Sequence, residues 1–386
     1  MLKKRTVCFV ITSQIHYARS RSLIRAIRAH PELELKIAVA ASAILPQYGD
    51  VLTAMEEDGI RCDAKIVMTL AGGSTVAMAK TTGIGITEFA TAFDNLRPDI
   101  VLIRGDRYEV LAATVAAGYM NIPIAHLEGG DLSGSIDESV RHAVTKIAHI
   151  HFTTNEKSAA RVRQMGEDPK YVFVSGCPEL EQLAEHDAEI TSAELNQRGV
   201  GSDLNLQKPL LMVMYHPITS EKDNRKHTET LLNVIHTMGI QTVWFWPNVD
   251  AGTDDVAKAI RVFREKVRPA HMHFITYFQP DKFVALLKKS ACLVGNSSAG
   301  IKECSYLGIP AVNIGHRQDG RTRGPNVQDA AEDADAIRTA IEMQLKHGKY
   351  PMSDVYYRKD ACAYIANMLA KIPLYTQKYF HESDRA

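Results

Sequence analysis

The chain has 386 residues, more than one hydrophobic core usually serves, so two domains are expected. Basic and acidic side chains balance at 45 each, which argues against a protein built to hold nucleic acid, where a basic excess is usual. A small anionic ligand stays within reach, because a pocket needs few local cations. Six scattered cysteines form no CxxC pair, which points away from a zinc ribbon or redox dithiol and toward a reducing compartment. The basic start MLKKR precedes an apolar run that is short and reads as a strand rather than a signal peptide. No apolar stretch is long enough to span a bilayer. A cytoplasmic protein without membrane partners is expected.

In chain order, Thr6–Ile11 reads as a strand, Ser20–Ala29 as a helix, Leu35–Ala40 as a strand, Tyr48–Gly59 as a helix and Ala64–Met68 as a strand. A helix from about Gly83 to Leu96 ends before Arg97-Pro98. Strands Ile100–Ile103, Ile124–His126 and His151–Thr153 alternate with helices Glu109–Met120 and Ser139–Ala148. The polar stretch Asp187–Asp203 links to a second series of strands at Pro209–Tyr215, Thr242–Trp246, His273–Ile275, Cys292–Gly295 and Ala311–Ile314. The tail, Asp360–Tyr379, is expected to be helical and to pack back on the first half. Alternation of this kind predicts two doubly wound, Rossmann-like α/β domains with ligands at the strand C-terminal ends, in a cleft between them. The expected divisions are residues 1–186, 187–365 and a terminal helix over 366–386.

Five segments follow strands and carry chemistry. Arg104-Gly105-Asp106-Arg107 sets an acid between two cations, either a carboxylate beside an anion site or a surface ion-pair cluster. His126-Leu127-Glu128-Gly129-Gly130-Asp131, with Asp137, Glu138, Arg141 and His142 shortly after, places four carboxylates close together on a glycine-rich loop. Asp137 equally suits a helix cap, and Glu138 a first turn. His216 ends a strand before Pro217, where it faces a cleft or packs at its rim. Gly295-Asn296-Ser297-Ser298-Ala299-Gly300 is expected to open a helix containing Glu303, offering amides and hydroxyls to a phosphate; a plain serine cap is the alternative. It lacks the ending of a P-loop. Arg317, Arg321 and Arg323 after Ala311–Ile314 suit phosphate charge or a solvated basic loop.

Taken in order, the stretches RGDR (104–107), HLEGGDLSGSIDESVRHAVTKIAH (126–149), SGCPEL (175–180), HPIT (216–219), PNVDAG (247–252), GNSSAGIKE (295–303) and IPAVNIGHRQDGR (309–321) resemble the hydrolysing UDP-N-acetylglucosamine 2-epimerases over nearly the whole chain. Among these, the resemblance is to the epimerase half of the bifunctional animal epimerase/kinase and to bacterial stand-alone relatives. It implies a glycosyltransferase-B-like fold and anti elimination of UDP to a glycal, followed by hydration with inverted C2 configuration. UDP and N-acetylmannosamine would be released for sialic acid or related synthesis. By position it assigns Asp106, Glu128, Asp137 and His216 as catalytic. Arg107, Asp131, Glu138, Arg141, His142, Asn248, Asp250, Ser297, Ser298, Glu303, Arg317 and Arg321 would bind the UDP-sugar. The resemblance implies no cofactor and no metal, and a homodimer or homotetramer.

One departure stands out. Where the family carries an arginine and an acid after the first strand, this chain has Gln14 and His16, with Tyr17 retained. Gln14 cannot make a charge-assisted phosphate contact, and Arg19 or Arg21 would have to substitute. The rival readings are the same chemistry on a UDP-diacetamido-trideoxyhexose, epimerisation without UDP release, a glycosyltransferase sharing the fold, and a non-catalytic nucleotide-sugar sensor. The non-hydrolysing epimerases carry an Arg-Pro-Glu motif in the first loop, where Gln14-Ile15-His16 stands here.

Overall fold

The computed structural model describes residues 3–70, 74–185, 189–247 and 250–382. The chain divides into two compact units. The first takes residues up to Leu132, Ile136–Gln182 and everything from Tyr356 onward; the second takes Leu183–Val355 and the short segment Ser133–Ser135. These divisions fall at 182/183 and 355/356, against the expected 186/187 and 365/366.

In the first unit the strands are β1 (Arg5–Ile11), β2 (Leu33–Ala40), β3 (Ala64–Ile66), β4 (Ile100–Arg104), β5 (Ile124–Leu127), β6 (Ile150–Thr153) and β7 (Val172–Val174). They form a parallel sheet in the order β3-β2-β1-β4-β5-β6-β7. The order reverses between β1 and β4, and such a switch point opens a crevice beyond the strand ends. The runs VCFVI and IVLIR are buried throughout, as strands covered by helices on both faces must be. One face is packed by a cluster around Phe9, Leu23, Ile24 and Leu102, and the other by one around Val10, Phe89, Phe93 and Ile103.

The helix foreseen over Ser20–Ala29 begins at Gln14 behind a Ser13 cap, and two further expectations for this unit need correction. The helix foreseen from Gly83 runs over Thr75–Leu96, started by Ser74, whose Oγ accepts from the Ala77 amide. Within it Gly85 marks close packing: a Cβ there would stand 2.3 Å from Met68 Cε and 2.9 Å from Ala112 Cβ. The tail helix covers Ala361–Lys371 and stops at Ile372, which is extended (φ −62°, ψ 134°). Pro373 follows, and a proline disfavours helical geometry in the residue before it. The helix joins the first core through Cys362, Ile365, Ala366 and Leu369.

Beyond the helix the tail is held by polar contacts. Tyr375 Oη donates to the His149 carbonyl at 3.0 Å. Lys378 Nζ reaches the buried Glu167 carboxylate at 2.6 Å, which Lys146 meets at 2.7 Å and His151 Nε2 at 3.1 Å. Burial by itself would raise the Glu167 carboxyl, but the His151 hydrogen bond and the neighbouring Lys378 and Lys146 outweigh it and hold the group down to about 2. Because the folded value lies below the ordinary 4.5, this stabilisation is complete above that pH and fades as pH falls toward 2. Glu167→Gln is therefore expected to unfold at lower denaturant than the parent at pH 7, with the gap narrowing at pH 3. A gap that widens on acidification would contradict the assignment.

The second unit carries β8 (Val200–Gly201), β9 (Leu210–Met214), β10 (Gln241–Phe245), β11 (Met272–Ile275), β12 (Cys292–Gly295), β13 (Ala311–Ile314) and β14 (Val327–Ala330). Their order is β14-β13-β12-β9-β10-β11-β8, parallel except for β8 against β11. The reversal lies between β9 and β12. Its core gathers Leu211, Trp244, Ile260 and Val294 on one face, and Met212, Val243, Leu286 and Leu293 on the other. Among the described residues, no helix is long and apolar enough to cross a membrane.

Candidate active site

In the first unit the chemistry-bearing loops leave β1, β4 and β5 at the switch-point edge. Arg104, the last residue of β4, is 2% exposed. Its Nε donates to Glu128 Oε1 at 2.7 Å, its second guanidinium arm meets Glu179, and Nη1 donates to the Arg19 carbonyl at 2.8 Å. Burial disfavours the Arg104 charge, but the facing Glu179 and Glu128 carboxylates more than offset it, so the guanidinium is held charged. Glu128 follows β5 at φ 70°, a left-handed conformation that a side-chain-bearing residue rarely holds without cause.

Asp106, two residues beyond β4, is gripped by the buried Arg141, whose Nη1 also donates to the Asp131 carbonyl at 2.7 Å. The two acid loops are tied together. The Gly105 amide donates to the Leu127 carbonyl at 3.1 Å, and His126 Nε2 lies 2.8 Å from the Gly105 carbonyl. A carbonyl can only accept, so the His126 proton sits on Nε2 and Nδ1 accepts from Thr145 Oγ1 at 3.2 Å. Burial lowers His126 to about 4, which keeps it neutral. Gly130 closes the turn at φ 79°, where a Cβ would stand 2.2 Å from the Ser158 carbonyl. Gly130→Ala is expected to cost at least about 1–3 kcal/mol in chemical unfolding. An unchanged midpoint would show that the loop yields freely.

The remaining first-unit candidates occupy varied places. Asp137 and Glu138 stand in the first turn of the helix Ile136–Ile147, which starts three residues earlier than expected, so Asp137 lies inside the helix rather than capping it. Arg141 is one turn further on. Glu138 lies 3.9 Å from His142, a helical neighbour. The Asp131 side chain accepts from Thr154 and Ser158 hydroxyls at 2.6 and 2.7 Å, which gives it a loop-fixing role. Arg107 forks onto the buried Glu109 at 3.1 Å.

The departures from the family pattern have clear settings. Gln14 packs against Gly49, where a Cβ would fall 2.0 Å from its Oε1. Arg21 is committed to Asp58 at 2.5 and 2.8 Å, so it does not replace the missing arginine. His16 is buried, its Nδ1 2.9 Å from Thr12 Oγ1. Burial, then the Arg104 and Arg107 charges, lowers it to about 3. A neutral imidazole therefore stands beside these arginines at physiological pH.

In the second unit the loops after β9, β12 and β13 are joined by Asn296. Its Oδ1 accepts from the His216 amide and its Nδ2 donates to the His216 carbonyl, both at 2.8 Å. Its own carbonyl accepts from Arg317 Nη1 at 3.2 Å and Gln318 Nε2 at 2.9 Å. Gly295, at φ 138°, lets this loop approach β9, since a Cβ would sit 2.1 Å from the Met214 carbonyl. Arg317 also faces Asp250 at 4.0 Å. The expected helix opening at Ser297 is instead a 3₁₀ turn, Ser298–Gly300, capped by Ser297 Oγ on the Ala299 amide. The α-helix begins only at Glu303 and runs five residues to Leu307, because the tight Ser-Ser-Ala-Gly turn is spent before it. Glu303 is buried, and Ser298 and Arg321 are half-buried. Asn248 lies outside the described residues.

Glu179 in the first unit and Asn296 in the second have no role assigned from sequence, and Arg104 reads there only as one of two cations flanking Asp106. Each lies inside a quoted motif, and its place at or just after a strand end was the available signal.

Residues 25–370 match the family model described as UDP-N-acetylglucosamine 2-epimerase. A Legionella pneumophila protein named UDP-N,N'-diacetylbacillosamine 2-epimerase (hydrolyzing) is 31% identical over 97% of both chains. A Campylobacter jejuni protein named GDP/UDP-N,N'-diacetylbacillosamine 2-epimerase (hydrolyzing) is 30% identical over 85% of both. The crystal structure of UDP-GlcNAc 2-epimerase from Neisseria meningitidis bound to UDP-GlcNAc aligns with a TM-score of 0.78 at 19% identity, covering 95% of this chain and 100% of that one. That likeness shows the fold, two Rossmann-like α/β units of the glycosyltransferase-B kind. With the family model spanning most of its length, the chain belongs to the UDP-N-acetylglucosamine 2-epimerase family.

Proposed function

We propose that this protein is a hydrolysing 2-epimerase that converts UDP-N-acetylglucosamine and water to UDP and N-acetylmannosamine, for sialic acid or related nonulosonate synthesis. The observation that carries the reading is the pair of carboxylates, Asp106 and Glu128, set at the ends of adjacent strands and each held by a buried arginine. The C2 proton is weakly acidic, so its removal needs a positioned base, and a second acid must assist departure or hydration. One carboxylate takes the C2 proton, the C2–H electrons form the C1=C2 bond of a glycal, and UDP leaves with the C1–O pair. Water then adds, its oxygen to C1 and a proton to C2 from the opposite face. Asp137 and His216 complete the acid–base set. Ser297, Ser298, Glu303, Arg317 and Arg321 hold the nucleotide diphosphate, and Arg107, Glu138, His142, Asn248 and Asp250 are the further substrate contacts.

A second reading keeps the chemistry and changes the sugar to a UDP-2,4-diacetamido-trideoxyhexose. The names of the two relatives at 31% and 30% identity favour it. Incubation with UDP-N-acetylglucosamine and, separately, UDP-N,N'-diacetylbacillosamine distinguishes the two. The expected outcome is UDP and a free C2-inverted sugar in equal amounts from the accepted substrate. A C2-inverted sugar still joined to UDP, or turnover of neither, would overturn the hydrolysing reading.

A further inference from the structure

A mixed imidazole–carboxylate cluster in the second unit has no part in the reaction proposed above. Glu221 lies in the turn after β9, His227 in the first turn of the helix Asn224–Met238, and Glu332 between β14 and the helix Ala334–His347. One ligand atom from each falls within 4.8 Å of the others. His227 Nδ1 is 3.0 Å from Glu332 Oε2 and 3.5 Å from Glu221 Oε2.

Their orientation matters as much as their distance. His227 Nδ1 and Glu221 Oε2 are buried and form no hydrogen bond, even though each has the other in reach. The oxygens therefore lie off the N–H line. Groups that pair with one another point at one another, whereas groups that share a cation point at a common centre. Ligands about 2.0–2.2 Å from a tetrahedral metal stand roughly 3.3–3.6 Å apart, close to the separations seen here.

The surroundings hold the carboxylates as such a site requires. Tyr215 Oη donates to Glu332 Oε1 at 2.6 Å, fixing the oxygen that faces away from His227. Gly315, at φ 69°, leaves room for that carboxylate, since a Cβ would lie 2.7 Å from Oε1. His316 Nε2 meets the other Glu221 oxygen at 3.2 Å. We propose that Glu221, His227 and Glu332 bind a divalent transition-metal ion of the zinc class. An imidazole with two carboxylates suits that class, while magnesium and calcium prefer all-oxygen shells. The ion ties together the turn after β9 and the β14 loop and, through His316, braces the loop that carries Arg317. It organises the loops and takes no step in the reaction.

Calorimetry and thermal unfolding with Zn²⁺ on the chelator-treated full chain test this without substrate, so the result stands apart from the fate of the reaction reading. The expected result is one equivalent bound, a raised unfolding temperature, and no comparable effect of Mg²⁺. His227→Gln and Glu332→Gln should each weaken Zn²⁺ binding at least tenfold while circular dichroism stays that of the parent. Should a variant fail to fold, Co²⁺ added to the parent supplies the check through the visible absorption of a tetrahedral site. Absence of Zn²⁺ binding, undiminished binding in the folded variants, or an octahedral Co²⁺ spectrum would reduce the cluster to a histidine–carboxylate ion pair.

Discussion

Arg104→Leu is expected to destabilise the first unit by about 3–5 kcal/mol, the range for removing one partner of a buried ion pair. The guanidinium lies between Glu128 and Glu179, and Glu179 is itself 4% exposed. Leucine would leave two carboxylates facing each other with their countercharge gone. It would also free the Arg19 carbonyl, which accepts from Nη1. Arg104→Lys should recover part of the loss, because an ammonium restores charge but cannot fork to two acids and a carbonyl together. Denaturant unfolding at pH 7 measures both variants. A loss below about 1 kcal/mol for the leucine variant would mean that the two acids are solvated well enough without the arginine.

Glu128→Gln should lower turnover at least about a hundredfold, the usual scale for a lost general acid or base. Glutamine keeps an oxygen for Arg104, so the fold should persist and the loss should appear in kcat. The backbone at Glu128 sharpens the argument. A φ of 70° is costly for a side-chain-bearing residue, by about 1–3 kcal/mol, and is tolerated where the side chain is needed. Glu128→Gly should therefore relieve backbone strain while turnover still collapses, although the loss of the Arg104 partner works against any gain in stability. Near-normal turnover in Glu128→Gln would remove Glu128 from the mechanism.

Much of the fold was legible because the strands are short apolar runs followed by polar, glycine-bearing loops. VCFVI and IVLIR could be read without tertiary information. What stayed hidden was set by packing at a distance. The packing role of Gly85 shows only once Met68 and Ala112 are found against it. The strand β14, VQDA, is partly exposed and lacks the apolar run that marks a strand of the same length such as β12. The site follows the same division. Asp106 and Glu128 were visible as acids at strand ends. The arginines that hold them lie elsewhere in the chain or point inward, and Arg104 looked like one of a pair flanking Asp106. It is instead the buried counter-ion of Glu128 and Glu179. Arg21 likewise looked available for phosphate until Asp58 was seen to occupy it.

In the proposed reaction a carboxylate of the first unit removes the C2 proton, and solvent returns one after the nucleotide has left. Turnover of the accepted UDP-sugar in deuterated water measures this directly. The expected result is free 2-epimeric sugar carrying one deuterium at C2, together with UDP. A released sugar that keeps its original C2 hydrogen would contradict it.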